Sequence, residues 1–221
     1  TNICDTECLF CAFWRKKGAN DSYVLSLDKI VEVVKTSYHN GATTVLLQGG
    51  HNEDIKLDYY CNLIKRVLKE VHGIQLHAFS APEIHSIAKY SNISTKELLE
   101  IFWDLGLRTI PGGGAEVLSN KVRKKISPLK ISADEWIKIT REAHLVGFKT
   151  TATIMFGHSE NDEDIIEHLL RVRDLQDETG GFLSFIPWTF KPENTFMERN
   201  ISREIGGDRY LRVLGLSRIF L

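Results

Sequence analysis

Beyond Cys61 the chain has no cysteine, and before it only Cys4, Cys8 and Cys11, so 221 residues carry four. That is too few for a disulfide scaffold, and the crowding of three of them near the start cannot staple distant segments. Long apolar runs are missing as well: nowhere do about 18 apolar residues follow one another, which excludes a membrane span, and the start lacks a signal-peptide layout. There is no charge surplus either. Against 28 Lys and Arg stand 29 Asp and Glu, a net charge of −1, which leaves no global field to draw nucleic acid or an anionic membrane surface. Only five prolines occur, and no Pro- or Ser-rich linker, so residues 1–221 read as one domain. A reducing, cytoplasmic setting follows from the cysteine usage. The absence of an initiator Met, and ends that fall inside apolar or motif-bearing sequence, give the expectation of a longer chain with further terminal elements.

What is present is a repeated grammar. Leu27, Ile30, Val31, Val34 and Tyr38 form one helical apolar stripe, and Tyr60, Leu63, Ile64, Val67 and Val71 another. Ser94 with Glu97 and Ser132 with Glu135 have capping-box spacing at two further helix starts, and another helix is expected over about 162–179. Short buried-type runs lie between: TTVLL (43–47), IQLHAF (74–79), RTI (108–110), TTATIMF (150–156) and FLSFI (182–186). Each follows a glycine that ends a helix: Gly41, Gly73, Gly106, Gly147 and Gly180. Adding a short strand before the cysteines makes six parallel strands with helical crossovers, which fit either a doubly wound sheet or a barrel.

The post-strand segments carry the chemistry, because in parallel α/β folds they converge on one face. They are the cysteine loop, QGGHN (48–52), SAPE (80–83), PGGGAE (111–116), GHSE (157–160) and PWTF (187–190). Any one of these alone is ordinary turn composition. Three thiolates at C-x3-C-x2-C suit an iron–sulfur cluster, zinc or copper(I). A structural zinc needs a fourth ligand, either Cys61 or a histidine such as His51, and would make the chain a non-catalytic zinc-stabilised α/β module. A [4Fe–4S] cluster on Cys4, Cys8 and Cys11 instead leaves one iron open, and Cys61 is then a small buried hydrophobe.

The C-x3-C-x2-C loop, with Phe10 just before its last cysteine, resembles the motif of the radical S-adenosylmethionine (SAM) enzymes. The resemblance implies a partial (β/α)6 TIM-like barrel, a [4Fe–4S] cluster whose open iron chelates SAM, and reductive cleavage of SAM to a 5′-deoxyadenosyl radical. It implies SAM contacts at Gln48, Gly49 and Gly50, at Glu116 after the fourth strand, and at Met155, Gly157 and Glu160, where Thr153 departs from a common glycine. Trp188 is placed to flank adenine or line the pocket. Longer strings, among them LLQGGHN, HAFSAPEI, IPGGGAEVL and FIPWTFKPENT, resemble the cyclic dehypoxanthinyl futalosine synthases of the futalosine route to menaquinone, the PWTF run favouring them over the related aminofutalosine synthases. The implied partners are a small molecule, dehypoxanthine futalosine, and an electron donor such as flavodoxin or ferredoxin, with no nucleic acid and no membrane. The implied reaction, an oxidoreductase chemistry, begins with hydrogen abstraction at ribose C4′. Among residues able to serve it, His77 is expected to point into the barrel with Gln75 and Phe79. His51, His158 and Glu83 sit in post-strand segments, with His77 and Glu83 taken as the catalytic pair. Arg15 either meets the substrate carboxylate or is merely solvated.

Overall fold

The computed structural model describes residues 1–200 and 204–221. Five strands, β1 (Thr44–Leu47), β2 (Gln75–Ala78), β3 (Thr109–Ile110), β4 (Lys149–Phe156) and β5 (Phe182–Thr189), form one sheet in the order β1-β2-β3-β4-β5, every pair parallel. A doubly wound sheet reverses its strand order at a switch point. Here each strand lies beside its sequence neighbour, so the sheet curls in one direction as a half-barrel. In place of the sixth strand expected before the cysteines, the described residues show an isolated parallel bridge between Ile3 and Arg15.

Helices α1 (Leu27–His39), α2 (Leu57–Glu70), α3 (Ala81–Ser91), α4 (Thr95–Asp104), α5 (Asn120–Ile126), α6 (Ala133–Val146), α7 (Asp162–Thr179) and α8 (Gly207–Phe220) complete the described chain. The five helix-ending glycines all have positive φ, between +59° and +120°. On the helix-facing side Leu76, Ala78 and Ala152 share one core cluster with Ile64, Leu98, Leu99 and Phe102, while Ile154 belongs to a second with Val117, Val122 and Phe156, all nearly free of water. No helix among the described residues is long and apolar enough to cross a membrane.

The opposite, concave side is different. Register sets Leu46 beside His77, His77 beside Thr109, Thr153 beside Ile186 and Met155 beside Trp188. Along it Leu46, Ile186 and Trp188 remain 61%, 46% and 43% exposed, an open lumen inside the half-barrel.

Candidate active site

Above the lumen the first three post-strand segments meet. A Cβ on Gly113 would overlap the Gln48 amide, and one on Gly114 would overlap the Pro82 ring. Gly50 is pressed harder still: a Cβ there would overlap the carbonyl of Ile3 and lie 3.1 Å from Cβ of Cys4. Glycine at 50 is therefore required by the approach of the cysteine segment itself, in addition to any ligand.

That segment is tied down through its backbone. Cys4 N–H donates to Arg15 O (3.1 Å), Asp5 N–H to His51 O (3.1 Å), Leu9 N–H to Ile126 O (2.9 Å) and Gly50 N–H to Thr1 O (2.8 Å). Arg15 spends its guanidinium on Asp21 (2.6 Å) and on the carbonyls of Ala12 and Trp14, which is a structural use and not the free cation a substrate carboxylate would need. Cys4, Cys8 and Cys11 all line one cavity of about 390 Å³, together with Gln48, Gly49, Gly50, Glu83 and Lys130. The Thr6 hydroxyl lies 3.0 Å from Cys4 Sγ and 3.6 Å from Cys8 Sγ. Burial pushes the Cys8 thiol up, with Lys130 acting in the other direction.

Glu83 lies in the first turn of α3 rather than in a loop. Its Oε2 accepts from Ser80 N–H (2.9 Å) and the Ser80 hydroxyl (2.6 Å), while Oε1 accepts from Gly49 N–H (2.8 Å). Burial raises its pKa and these hydrogen bonds oppose the rise. Glu83 thus clamps two post-strand segments together. Glu116 is also buried, but its partners are cations: Lys130 Nζ at 3.1 Å and Arg123 Nη1 at 3.4 Å.

The remaining residues divide between site and scaffold. His77 is half-buried on the concave face, and burial lowers its pKa. Phe79 does not join it: a φ of +63° at the strand end turns its ring into the core, 5.5 Å from Tyr60 and 5.3 Å from Phe102 between centroids. His51 is buried and neutral, its pKa driven down to about 3 by burial, and its Nδ1 lies 2.8 Å from the Ser86 hydroxyl. The imidazole of His158 is enclosed, 3.0 Å from the Met155 carbonyl. Glu160 braces the turn after β4, accepting from Gly157 N–H (2.6 Å) and His158 N–H (3.0 Å). Met155 is buried at the end of β4, and Trp188 stands on β5, which runs three residues past its expected end. Cys61, half-buried on α2, packs against the core and does not line the cysteine cavity. Lys130, which sequence reasoning missed, is the added feature; only its place 14 residues after Glu116, across α5, would have signalled it.

Comparison with known proteins agrees with this geometry. The Radical SAM superfamily model matches residues 1–172, and that of the CofH/MqnC C-terminal region matches 179–221. A cyclic dehypoxanthine futalosine synthase of Halalkalibacterium halodurans is 40% identical over 221 residues, covering 100% of this chain and 59% of the relative. An aminodeoxyfutalosine synthase of Thermus thermophilus is 38% identical (100% and 60% covered), and a 5-amino-6-(D-ribitylamino)uracil–L-tyrosine 4-hydroxyphenyl transferase of Methanococcoides burtonii 41% identical (100% and 62%). The chain thus spans about three fifths of the length of these relatives. In fold it is similar to methylornithine synthase (TM-score 0.74, 18% identity, 99% of this chain and 60% of the other) and to Streptococcus suis SuiB bound to S-adenosylmethionine (0.68, 17%, 98% and 44%).

The family's cofactors are a [4Fe–4S] cluster and SAM, and the residues present fit them. A closed zinc site, with Zn–S near 2.3 Å, draws its sulfurs to within about 4 Å of one another. Among the described residues the trio with ligand atoms within 4.8 Å is Cys4, Asp5 and His51, which leaves out Cys8 and Cys11. Three thiols spread around one cavity suit a larger inorganic body than a single ion.

Proposed function

The chain belongs to the radical SAM superfamily, and on that premise we propose that it is the core of a cyclase that converts dehypoxanthine futalosine to its cyclic form in menaquinone biosynthesis. The carrying observation is the resemblance-bearing PWTF run: its Trp188 stands in the lumen beside Met155, where an aromatic, nucleoside-type substrate would need a flat apolar wall. Cys4, Cys8 and Cys11 hold the cluster, and Gln48, Gly49 and Gly50 present backbone to SAM. Cluster and SAM, once loaded and reduced by a carrier such as flavodoxin or ferredoxin, supply the hydrogen-abstracting radical.

The protein's own residues then position and exclude. Leu46, Ile186 and Trp188 give the lumen apolar walls, so that few groups compete for a carbon radical. His77 faces the same lumen with its pKa lowered by burial, hence as a neutral imidazole able to take the last proton. Glu83 contributes by fixing Gly49, and Glu160 by fixing the turn at Gly157 against which adenine rests. Met155 N–H donates to Glu116 O (2.9 Å), which couples the two segments assigned to the ribose and adenine of SAM.

Anaerobically reconstituted, reduced enzyme with SAM should yield a product two hydrogens lighter than dehypoxanthine futalosine, with deuterium from C4′ recovered in 5′-deoxyadenosine. The second reading, an aminofutalosine synthase, is favoured by the comparable identity to that relative. It predicts adenosyl transfer to an enolpyruvyl ether of 3-hydroxybenzoate and no reaction with the futalosine substrate.

A further inference from the structure

Behind the cysteine cavity lies a buried charge imbalance. Arg123 spends most of its donors on neutral carbonyls: Nη1, the nitrogen that contacts Glu116, also donates to Gly114 O (3.1 Å) and Ala115 O (2.7 Å), and Nε and Nη2 donate to Ile131 O (2.9 and 2.7 Å). Glu116 is the carboxylate that both Arg123 and Lys130 contact, so this contact unit has two cations and one anion, and Glu83, which lines the same cavity as Lys130, is the other buried carboxyl near it. All three side chains are withdrawn from water, at 3% exposure for Arg123, 5% for Glu116 and 12% for Lys130. A net charge so placed is costly unless something of opposite sign offsets it.

Lys130 is the member that reaches the cavity, lining it with the three cysteines, its ammonium 5.4 Å from the Phe10 ring centroid. Its ammonium is held by the Glu116 carboxylate at 3.1 Å. Lys130 is thus the cation of this unit that shares a cavity with the thiols.

We propose that Lys130, anchored by Glu116, is a positioning residue whose fixed positive charge makes the cluster on Cys4, Cys8 and Cys11 easier to reduce. The proposal rests on the family reading above, which puts a cluster in this cavity. Reduction adds one electron to a group already carrying three thiolates. A cation lining the same cavity favours the reduced state over the oxidised one.

The test is a redox titration of the reconstituted protein, followed by the EPR signal of the reduced cluster, for wild type, Lys130→Met and Lys130→Arg, with iron and sulfide counted in each. Lys130→Met should keep its cluster but show a more negative midpoint. Its reduction equilibrium constant should fall at least about tenfold, or about 59 mV for a one-electron couple, and Lys130→Arg should stay near wild type. If Lys130→Met assembles poorly, Lys130→Gln provides the same comparison. An unchanged midpoint in a fully loaded neutral variant overturns the proposal, and so does an equal shift in Lys130→Arg. An unchanged midpoint with weakened SAM binding assigns Lys130 to the cofactor instead. A wild-type protein that takes up no cluster contradicts the family reading, a distinct result.

Discussion

Two walls of the cysteine cavity are each backed by a buried glutamate, and they are built on opposite principles. Glu83 is satisfied by backbone N–H groups and a hydroxyl, Glu116 by a lysine and an arginine. The first arrangement fixes shape, since it joins the start of α3 to the segment after β1. The second fixes charge, since one anion holds two cations in place and one of them, Lys130, lines the cavity with the thiols. Position in the fold is equivalent, as both follow a strand; the partners decide what each carboxylate does.

The comparison breaks most sharply by neutralising each anion. Glu116→Gln leaves two buried cations unpaired and should cost about 3–5 kcal/mol of folding stability, as expected when one partner of a buried ion pair is removed. Glu83→Gln loses hydrogen bonds to a charged acceptor and should cost less, about 1.5–3 kcal/mol. Denaturant titration of both variants measures the order, and a reversed order would mean that Glu116 is not the anchor described.

The shape-fixing wall is sharpened by its glycines. Gly50→Ala drives a methyl into the Ile3 carbonyl and toward Cys4, and should cost about 1–3 kcal/mol together with loss of cluster uptake. At Gly49 the added carbon meets Thr1 O at 3.3 Å, so Gly49→Ala should keep its cluster. Iron counts of the two variants after reconstitution separate them.

Near Arg123 of the charge-fixing unit, the buried His168 on α7 gives a pH signature. Its Nδ1 accepts from Leu118 N–H (3.0 Å), two residues after Glu116. Burial, with Arg123 adding to it, lowers its pKa to about 3. Below the unfolded value of 6.5 the unfolded chain takes up a proton that the folded chain refuses. Stability is therefore full above pH 6.5 and falls as pH drops toward 3, by about tenfold in the folding equilibrium per pH unit for this group. His168→Phe should flatten the slope between pH 7 and 5.5 measured by thermal unfolding, and an unaltered slope would contradict the assignment. The smallest effect belongs to neither wall: Trp188→Ala, at a 43% exposed lumen position, should change stability by no more than about 0.5 kcal/mol.

Much of the frame was legible in the residues. The glycine before each strand marked where a helix must stop, and all five take the left-handed backbone that role demands. The convergence of QGG with SAPE and PGGGAE followed from their common place after strands, and the cysteines reach the same cavity from a segment that keeps only a bridge where a strand was expected. Helix α3 was hidden because SAPE has turn composition, although Ser80 and Glu83 have the same Ser-x-x-Glu spacing that revealed α4 and α6. Phe79 escaped the alternation rule because β2 ends one residue earlier and its backbone reverses there. Lys130 was illegible for a deeper reason. Its pairing with Glu116 depends on how α5 folds back, a tertiary fact that no local pattern encodes.

The most direct test of the cavity is its metal content. After anaerobic reconstitution, iron, sulfide and zinc are counted, and reduced-state EPR recorded with and without SAM, for wild type and for single alanine variants of Cys4, Cys8, Cys11 and Cys61. Three thiolates around an open iron predict a full [4Fe–4S] complement and a SAM-sensitive signal in wild type and Cys61→Ala, and neither in the other three. One zinc per chain in a colourless protein, or cluster loss in Cys61→Ala, would contradict it.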